Sequence, residues 1–236
     1  MSFSIDEIPA GGFENESPQD CLKWAFEKFG QRIALASSFG IEDVVLIDMA
    51  MSITSKVRVF TLDTGRLHQE SYDLMDRIRN RYGIKIETMF PDAAEVENMV
   101  TNHGINLFYD SVEKRRLCCG VRKIKPLRRI LSSLDAWVVG LRRDQNVTRT
   151  SIRKVSIDHA NYGIVKISPL ADWTNDQVRE YQQENKVPYN KLHDQGFPSI
   201  GCEPCTRPIE SGDDPRAGRW WWENSDIKEC GLHPKS

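Results

Sequence analysis

Four of the six cysteines stand in two close pairs. Cys118 and Cys119 are adjacent, and Cys202 and Cys205 form a C-x-x-C pair. C-x-x-C spacing lets two thiolates reach one metal centre, and a second pair completes a four-sulfur shell. Adjacent cysteines are cramped around a single tetrahedral zinc ion, whereas a cubane offers each thiolate its own iron corner. The spacing favours one 4Fe–4S cluster per chain, with zinc or four unrelated reduced thiols as alternatives.

The other two cysteines have different surroundings. Cys230 stands in Lys-Glu-Cys-Gly-Leu-His near the C-terminus. Gly231 leaves its sulfur accessible and His233 would stabilise its thiolate, whereas Glu229 would raise its pKa. The sequence here leaves two interpretations open, a reactive thiolate and an inert terminal thiol. Cys21 falls at helical spacing with the apolar residues that follow it, so we expect a buried core position.

A basic run surrounds the adjacent cysteines. Residues 113–129 hold eight Lys or Arg and one Glu, a local balance of +7 in a chain whose net charge is -2. A nucleic-acid surface or a solvated face is possible, but the run lacks aromatic residues for base stacking. A small polyanion bound beside an anionic cluster explains the run better. Arg149, Arg216 and Arg219 add guanidinium groups suited to an oxyanion, or belong to solvated loops.

Two polar loops follow the first two predicted strands. They are Ser37-Ser38-Phe39-Gly40 and Leu62-Asp63-Thr64-Gly65. The first precedes a helix, whose N-terminal N–H groups favour an anion, although an ordinary capped turn is the alternative. Because the carboxyl ends of parallel strands meet at one sheet edge, the two loops together predict a ligand pocket there.

The elements that position these residues alternate. Strand-like segments separated by helix-length periodic segments predict a doubly wound, mostly parallel α/β sheet. Strands are expected at 32–39, 57–64, 85–90 and 136–141, with a hairpin pairing 155–158 with 163–167. Helices are expected at 41–53, 69–82, 93–102 and from Thr174 to about Lys186, the last with a Thr174–Gln177 capping box.

Composition bounds the organisation. The chain has 236 residues, 39% hydrophobic and 28% charged, typical of one globular domain spanning 1–236. Residues from about 190 to 236 form a loop-rich tail, in which three adjacent tryptophans would clasp the body. No apolar run reaches membrane-spanning length, and no leader is visible in the acidic N-terminus, so a cytoplasmic location is expected.

The motifs, in their order along the chain, resemble one family. CC, C-x-x-C, Gly-Arg-Trp-Trp-Trp-Glu and the terminal Glu-Cys-Gly-Leu-His are similar to those of the assimilatory adenylylsulfate and phosphoadenylylsulfate reductases. That resemblance implies the adenine-nucleotide α-hydrolase-like fold. ATP-cleaving relatives carry S-G-G-x-D-S where this chain has Ser37-Ser38-Phe39-Gly40, which disfavours ATP cleavage.

The resemblance implies a mechanism and its residues. Cys230 would attack the sulfate sulfur of adenylylsulfate and become an S-sulfocysteine, which thioredoxin or glutaredoxin would resolve to sulfite. Cationic side chains would neutralise the repulsion between thiolate and sulfate. The implied cluster ligands are Cys118, Cys119, Cys202 and Cys205. The implied substrate-binding residues are Ser37, Ser38, Gly40, Leu62, Lys123, Gly140, Arg149, Arg216, Arg219 and His233.

The substrate leaves alternatives. The cluster cysteines and the acidic pair Glu42-Asp43 favour adenylylsulfate, whereas the order of the Ser37–Gly40 loop is nearer to enzymes of 3′-phosphoadenylylsulfate. A reductase of that substrate, or of both, is the first alternative. A non-catalytic, metal-stabilised nucleotide-binding module is the second. Neither nucleic acid nor membrane is an expected partner, and a homo-oligomer is possible.

Overall fold

The computed structural model describes residues 8–9, 11–145, 149–210 and 212–223. The strands within them are β1 (Ile33–Ala36), β2 (Val59–Leu62), β3 (Ile86–Met89), β4 (Ala136–Val138), β5 (Val155–Asp158) and β6 (Ile164–Ile167). The α-helices are α1 (Pro18–Phe29), α2 (Ile41–Ile53), α3 (Gln69–Tyr82), α4 (Ala93–His103), α5 (Val112–Cys119), α6 (Lys125–Leu131) and α7 (Asn175–Glu184). The expected alternation of strands and helices is confirmed.

All six strands form one sheet in the order β3-β2-β1-β4-β6-β5. Every neighbouring pair is parallel except β5 and β6, which form the predicted antiparallel hairpin. The chain builds outward from β1 to β3 and then crosses to the other side of β1. The sheet therefore has a topological switch point between β1 and β4, where open α/β sheets bind ligands outside their strand ends.

The sheet is covered on both faces, as alternation along β1 shows. Ile33 and Leu35 belong to an apolar cluster with residues of α1, α2, α3 and α7. Ala34, between them, belongs to a second cluster that α6 completes through Leu127 and Leu131. Because successive strand residues point to opposite faces, these clusters lie on opposite sides of the sheet. The doubly wound prediction is confirmed.

The second strand ends at Leu62, although it was expected to reach residue 64, because the polar residues that follow form a turn. Asp63 Oδ1 accepts a hydrogen bond from the Gly65 N–H at 2.8 Å, and Thr64 Oγ1 accepts one from the Arg66 N–H at 3.2 Å. Such side-chain bonds to backbone N–H groups two residues ahead compete with strand pairing. Residues 63 and 64 therefore begin a loop at the sheet edge.

The basic run is not one regular helix. A π-helical turn, Gly120–Ile124, separates α5 from α6. Pro126, at the start of α6, has no N–H to donate to a preceding carbonyl, which favours an irregular turn before it. π-turns inside helices are often found at functional sites, and this one contains Lys123.

The segment after α7 is loop-rich, as expected. Residues 188–223, called here the C-terminal region, contain 3₁₀ turns at Lys191–Gln195 and Glu203–Cys205. Trp220, 1% exposed, packs in an apolar cluster with Met99 and Phe108 from the body. Trp221 and Trp222 also pack on aromatic rings of the body, so all three tryptophans take part in the expected clasp. Helix α7 carries the predicted Thr174–Gln177 capping box.

Candidate functional site

A cavity of about 400 Å³ opens at the switch point of the sheet. Ser37, Ser38 and Gly40, which follow β1, line it together with Leu62 at the end of β2 and Gly140 after β4. This volume lies within the usual range for small-molecule sites of roughly 300–1,000 Å³. We call it the main cavity. The two loops predicted to share a sheet edge therefore do so.

Six cations line the main cavity, and four of them are among the residues expected to bind substrate. Lys123 comes from the π-turn, Arg149 from the loop after β4, and Arg216 and Arg219 from the C-terminal region. Nine of the ten residues expected to bind substrate thus surround one space. The tenth, His233, lies outside the described residues, as does Cys230. The cations make the cavity suited to a polyanion.

One wall of the main cavity is apolar. It is lined by Phe60, Leu127, Trp137, Val139 and Leu141, all members of the cluster beneath α6. Four of these residues were predicted to lie in strands and Leu127 in the basic run, and none was predicted to belong to the site. Their signal was weak, because an apolar residue near a strand end has the same pattern whether it packs on a helix or on a ligand.

The first turn of α2 carries two carboxylates into the main cavity, Glu42 and Asp43. Asp43 accepts hydrogen bonds from the Ser38 N–H at 2.6 Å and from the Ser38 hydroxyl at 2.9 Å. Burial raises the pKa of Asp43 to about 6, even though these hydrogen bonds oppose the rise. The Ser38 N–H, expected to be available to an anion, is therefore already bonded to a carboxylate.

Glycine at position 140 allows α2 to approach β4 closely. A β-carbon there would lie 2.5 Å from Asp43 Oδ1 and 2.9 Å from Glu42 Cβ. Both distances are shorter than van der Waals contact, so a larger residue would push the first turn of α2 away. The absence of a side chain at Gly140 thus lets the first turn of α2 keep the position that shapes the cavity.

A chain of hydrogen bonds orients Arg149. Gln145 Nε2 donates to Glu42 Oε1 at 2.9 Å and to the Gly140 carbonyl at 3.2 Å. Its Oε1 accepts a hydrogen bond from Arg149. Arg142 Nη2 also donates to Glu42, at 2.9 Å, in a largely buried ion pair. The Glu42 carboxylate therefore pairs with the Arg142 guanidinium and accepts a hydrogen bond from Gln145. Gln145 in turn orients Arg149.

The four paired cysteines line a second, smaller cavity, called here the cysteine cavity. Cys118 and Cys119 reach it from the end of α5, and Cys202 and Cys205 from the C-terminal region. All four are buried, and no cysteine among the described residues forms a disulfide. No group of three or more His, Cys, Asp or Glu in the described ranges is placed to hold a metal ion in the present side-chain positions. The donor set itself, four buried thiols on one cavity, matches a four-thiolate shell.

Cations and a hydroxyl surround Cys202. Thr64 Oγ1 lies 3.2 Å from its Sγ, and Arg122 Nη1 donates to the Thr64 carbonyl at 2.7 Å. Burial acts to raise the pKa of Cys202, but Lys123, Thr64 and Arg219 outweigh it and the pKa is lowered. Burial raises the pKa of Cys205 to about 12. Cations and a hydroxyl therefore favour the thiolate form of Cys202, whereas burial favours the thiol form of Cys205.

The chain is similar to known proteins over most of its length. Residues 32–208 match the family model described as phosphoadenosine phosphosulfate reductase domain. The chain belongs to this reductase family. The chain is 50% identical over 202 residues to the adenosine 5′-phosphosulfate reductase of Burkholderia cepacia, covering 86% of this chain and 80% of the relative. It is 45% identical over 229 residues to that of Pseudomonas aeruginosa, covering 95% and 85%.

A solved structure supports the fold assignment of this reductase-family chain. The phosphoadenylyl-sulfate reductase of Candida auris, crystallised as a phosphate complex, superposes with a TM-score of 0.74 at 27% identity. The similarity covers 89% of this chain and 99% of that one. The family resemblance inferred from the motifs is therefore confirmed.

Two residues join the two cavities of this reductase-family site. Lys123 and Arg219 line both the main cavity and the cysteine cavity. The π-turn supplies the first, and the Gly218–Trp220 stretch supplies the second. Each cation is thus placed between any anion in the main cavity and the four thiols. Sequence spacing could not reveal this, because residues 123 and 219 meet only through the tertiary fold.

The C-terminal region is attached to α5 by a buried ion pair. Arg115 is fully buried and donates to both Glu223 oxygens, at 2.6 and 2.8 Å. Its guanidinium also stacks over the Trp220 ring, 4.4 Å from the centroid. Arg115 belongs to the run predicted to bind a polyanion, whereas its role here is to fasten the C-terminal region.

Among the described residues, no helix combines the length and apolar character needed to cross a membrane.

Proposed function

We propose that this enzyme reduces adenylylsulfate to sulfite and AMP in assimilatory sulfate reduction. One observation carries the proposal: nine implied substrate-binding residues line a single cavity, and two of its cations also line the cysteine cavity. The names of the relatives from Burkholderia cepacia and Pseudomonas aeruginosa support the same substrate.

The apolar wall and the cations divide the substrate between them. In this proposal the adenine packs against the wall that contains Phe60 and Trp137, and the phosphosulfate is held by Lys123, Arg149, Arg216 and Arg219. An anionic sulfate repels an attacking thiolate, so fixed positive charge at this end lowers the barrier. The apolar wall also excludes water from the nucleotide, which strengthens the charge interactions.

The reaction is proposed in three thiol displacements. The Cys230 thiolate attacks the sulfate sulfur, the bond from that sulfur to the bridging oxygen breaks, and AMP leaves with the electron pair. A thioredoxin or glutaredoxin thiolate then attacks Cys230 Sγ, forming a mixed disulfide and releasing sulfite. In thioredoxin, its second thiol displaces Cys230 and closes the disulfide, so the two electrons come from the reductant; glutathione completes this step if a monothiol glutaredoxin acts.

A 4Fe–4S cluster is proposed for the cysteine cavity. Cys118, Cys119, Cys202 and Cys205 would hold it, because they are buried, thiol-bearing and share one cavity. When bound, the cluster supplies a cross-link between α5 and the C-terminal region and a negative charge close to Lys123. Lys123 and Arg219 then balance that charge while facing the substrate.

The acidic first turn of α2 supports adenylylsulfate over its 3′-phosphorylated form. Asp43 already accepts both Ser38 donors, whereas the charge of Glu42 on the same wall is balanced by Arg142. An additional phosphate near this turn would meet the Asp43 carboxylate and find the Ser38 N–H occupied. A reductase of the 3′-phosphorylated substrate, or of both, is the competing proposal.

A labelling experiment tests the proposal. Anaerobically purified protein is incubated with ³⁵S-labelled adenylylsulfate, or with the labelled 3′-phosphorylated form, in the absence of reductant. We expect adenylylsulfate to label the protein, Cys230→Ser to abolish the label with the iron content intact, and thioredoxin to release it as sulfite. Cys21→Ala, at a buried core position, is the matched control and should keep the label.

The outcomes separate the alternatives. Preferential labelling by the 3′-phosphorylated form would reverse the substrate assignment. Absence of any protein-bound label, with tight nucleotide binding retained, would replace the enzyme with a non-catalytic binding module. Full turnover by Cys230→Ser would refute the nucleophile.

A further inference from the structure

The guanidinium of Arg219 lies against the backbone that leads into the C-x-x-C pair. Arg219 Nη1 donates to the Ile200 carbonyl at 3.2 Å and to Ser199 Oγ at 3.4 Å. The guanidinium carbon also stacks over the Trp220 ring, 4.9 Å from its centroid. The side chain is 7% exposed. Its place at the junction of the two cavities is thus defined by contacts on several sides.

Gly201 lies against one side of the Arg219 guanidinium. A β-carbon on Gly201 would lie 2.5 Å from Arg219 Cζ and 2.9 Å from Nη1. Real β-carbons essentially never approach other atoms closer than 3.0 Å, so any side chain at 201 is incompatible with the observed position of Arg219. The requirement is one of space, since Gly201 is not among the glycines with positive φ.

The guanidinium is the part that would yield. The backbone next to Gly201 is tied down, because Leu67 and Cys202 form a β-bridge and the Glu203 N–H donates to the Arg66 carbonyl at 2.9 Å. The Arg219 backbone is also fixed, by a bridge to Thr206 and a hydrogen bond to the Arg216 carbonyl. The far end of a long side chain moves more easily than either backbone, even where contacts hold it.

We propose that Gly201 is a positioning residue that sets Arg219 between the substrate anion and the cysteine cavity. This inference rests on the proposed function, in which Arg219 contacts the phosphosulfate. The glycine acts through Arg219, and it couples the fold of the C-x-x-C segment to the placement of a substrate-binding cation. A methyl group at 201 should displace the cation without removing it.

Two alanine variants test this in the iron-loaded enzyme. Gly201→Ala is expected to lower kcat/KM for adenylylsulfate roughly 10- to 100-fold, the size typical of a small misplacement of a positioning group. Its iron content and visible absorbance should match those of the wild type. Gly120→Ala is the matched control: it also adjoins a paired cysteine, yet a β-carbon there meets nothing within 4 Å. We expect it to retain wild-type kcat/KM.

A double-mutant cycle separates positioning from simple blockage of the cavity. In an Arg219→Ala background the clash disappears, so Gly201→Ala should change kcat/KM less than about twofold, within the scatter of additive pairs. An equal loss in both backgrounds would mean that the added methyl group obstructs the substrate directly, and would overturn the proposal. Loss of iron from Gly201→Ala alone would overturn it as well.

A crystal structure of Gly201→Ala distinguishes failure of this inference from failure of the proposed function. We expect the guanidinium to leave residue 201 while the 199–202 backbone keeps its position. Retention of the guanidinium with a shifted backbone would refute the inference even if the enzyme reduces adenylylsulfate. If the wild type formed no sulfite, the proposed function would fail, and this structure would still decide how Arg219 is placed.

Discussion

The α/β body and the C-terminal region contribute to the same cavity but are held together by different forces. The body relies on a continuous sheet and on two apolar clusters that cover its faces. The C-terminal region has two short 3₁₀ turns within its described residues and is fastened by the Arg115–Glu223 ion pair, Trp220 and the segment around Cys202. Burial of apolar area against the sheet stabilises the first, whereas a smaller apolar cluster around Trp220 together with specific polar contacts stabilises the second.

The difference shows how the site can fail. The body supplies the apolar wall and the loop after β1, which give the cavity its shape. The C-terminal region supplies Arg216, Arg219 and two of the four paired cysteines. Because none of its described residues joins the sheet, the second region can detach by local opening with the sheet still folded. Local opening should therefore remove the cations Arg216 and Arg219 from the site while the apolar wall and the loop after β1 stay in place.

The largest expected effect breaks the fastening of the C-terminal region. Arg115→Met leaves the Glu223 carboxylate buried without its partner, and loss of one member of a buried pair costs about 3–5 kcal/mol. We expect hydrogen exchange to accelerate across residues 188–223 while the strands β1, β2 and β4 remain protected. Activity should fall with the opening of the region.

Replacing both partners sharpens this result. In Arg115→Met/Glu223→Met no buried charge remains, so stability should recover in large part, as buried ion pairs replaced by apolar residues often do. Equal acceleration of exchange in the C-terminal region and in the sheet would mean that the two regions open as one unit, contrary to the comparison.

A substitution in the body should give the opposite pattern. Leu35 is fully buried in β1, and Leu35→Ala removes apolar contacts worth about 2–5 kcal/mol. We expect the urea midpoint for global unfolding to fall, with kcat/KM per folded molecule close to that of the wild type. Ile105→Ala, at a residue 61% exposed, is the control and should shift stability by less than about 0.5 kcal/mol.

The same division explains what sequence could predict. Helix α3 was predicted at its observed bounds, because Tyr82 and the apolar residues before it repeat at helical spacing and Gly83 adopts the left-handed conformation that ends the helix. Periodicity of this kind reflects a local pattern against one large core. Strand ends were less predictable. The side-chain hydrogen bonds of Asp63 and Thr64 that end β2 produce no periodic pattern of apolar residues in the sequence.

The site divides in the same way. The paired cysteines and the cations were identifiable because their residue types and motifs carry chemistry. The close approach of Gly201 to Arg219 and the bond from Ser38 to Asp43 were not, because both depend on tertiary placement. Arg115 shows the opposite error, since a residue type suited to anion binding was used for an internal ion pair.

The next largest expected effect is a pH dependence of the free energy of unfolding, which comes from the Asp43 carboxylate in the body. The pKa of Asp43 is 3.8 in the unfolded chain and about 6 in the folded one. The folded state therefore binds more protons between these values, and the free energy of unfolding should decrease as pH rises through them, by up to about 3 kcal/mol. Asp43→Asn should remove that decrease. We expect the slope to persist in Asp76→Asn, whose side chain is 70% exposed.

Thr174→Ala is expected to give the smallest effect. Thr174 Oγ1 accepts the Gln177 N–H at 3.2 Å, and the Gln177 side chain accepts the Thr174 N–H at 2.8 Å. Loss of an N-cap costs about 1 kcal/mol, so the urea midpoint should fall slightly, and Thr174→Asp, which keeps a capping oxygen, should restore it. The cap stabilises the body side of the cavity, where Asn175 and Arg179 lie, and its two hydrogen bonds stay within residues 174–177. Hydrogen exchange should therefore become faster at the start of α7 and stay unchanged in residues 188–223, which would show that the two regions respond separately even to a small perturbation. Faster exchange in both would mean that they share one opening equilibrium.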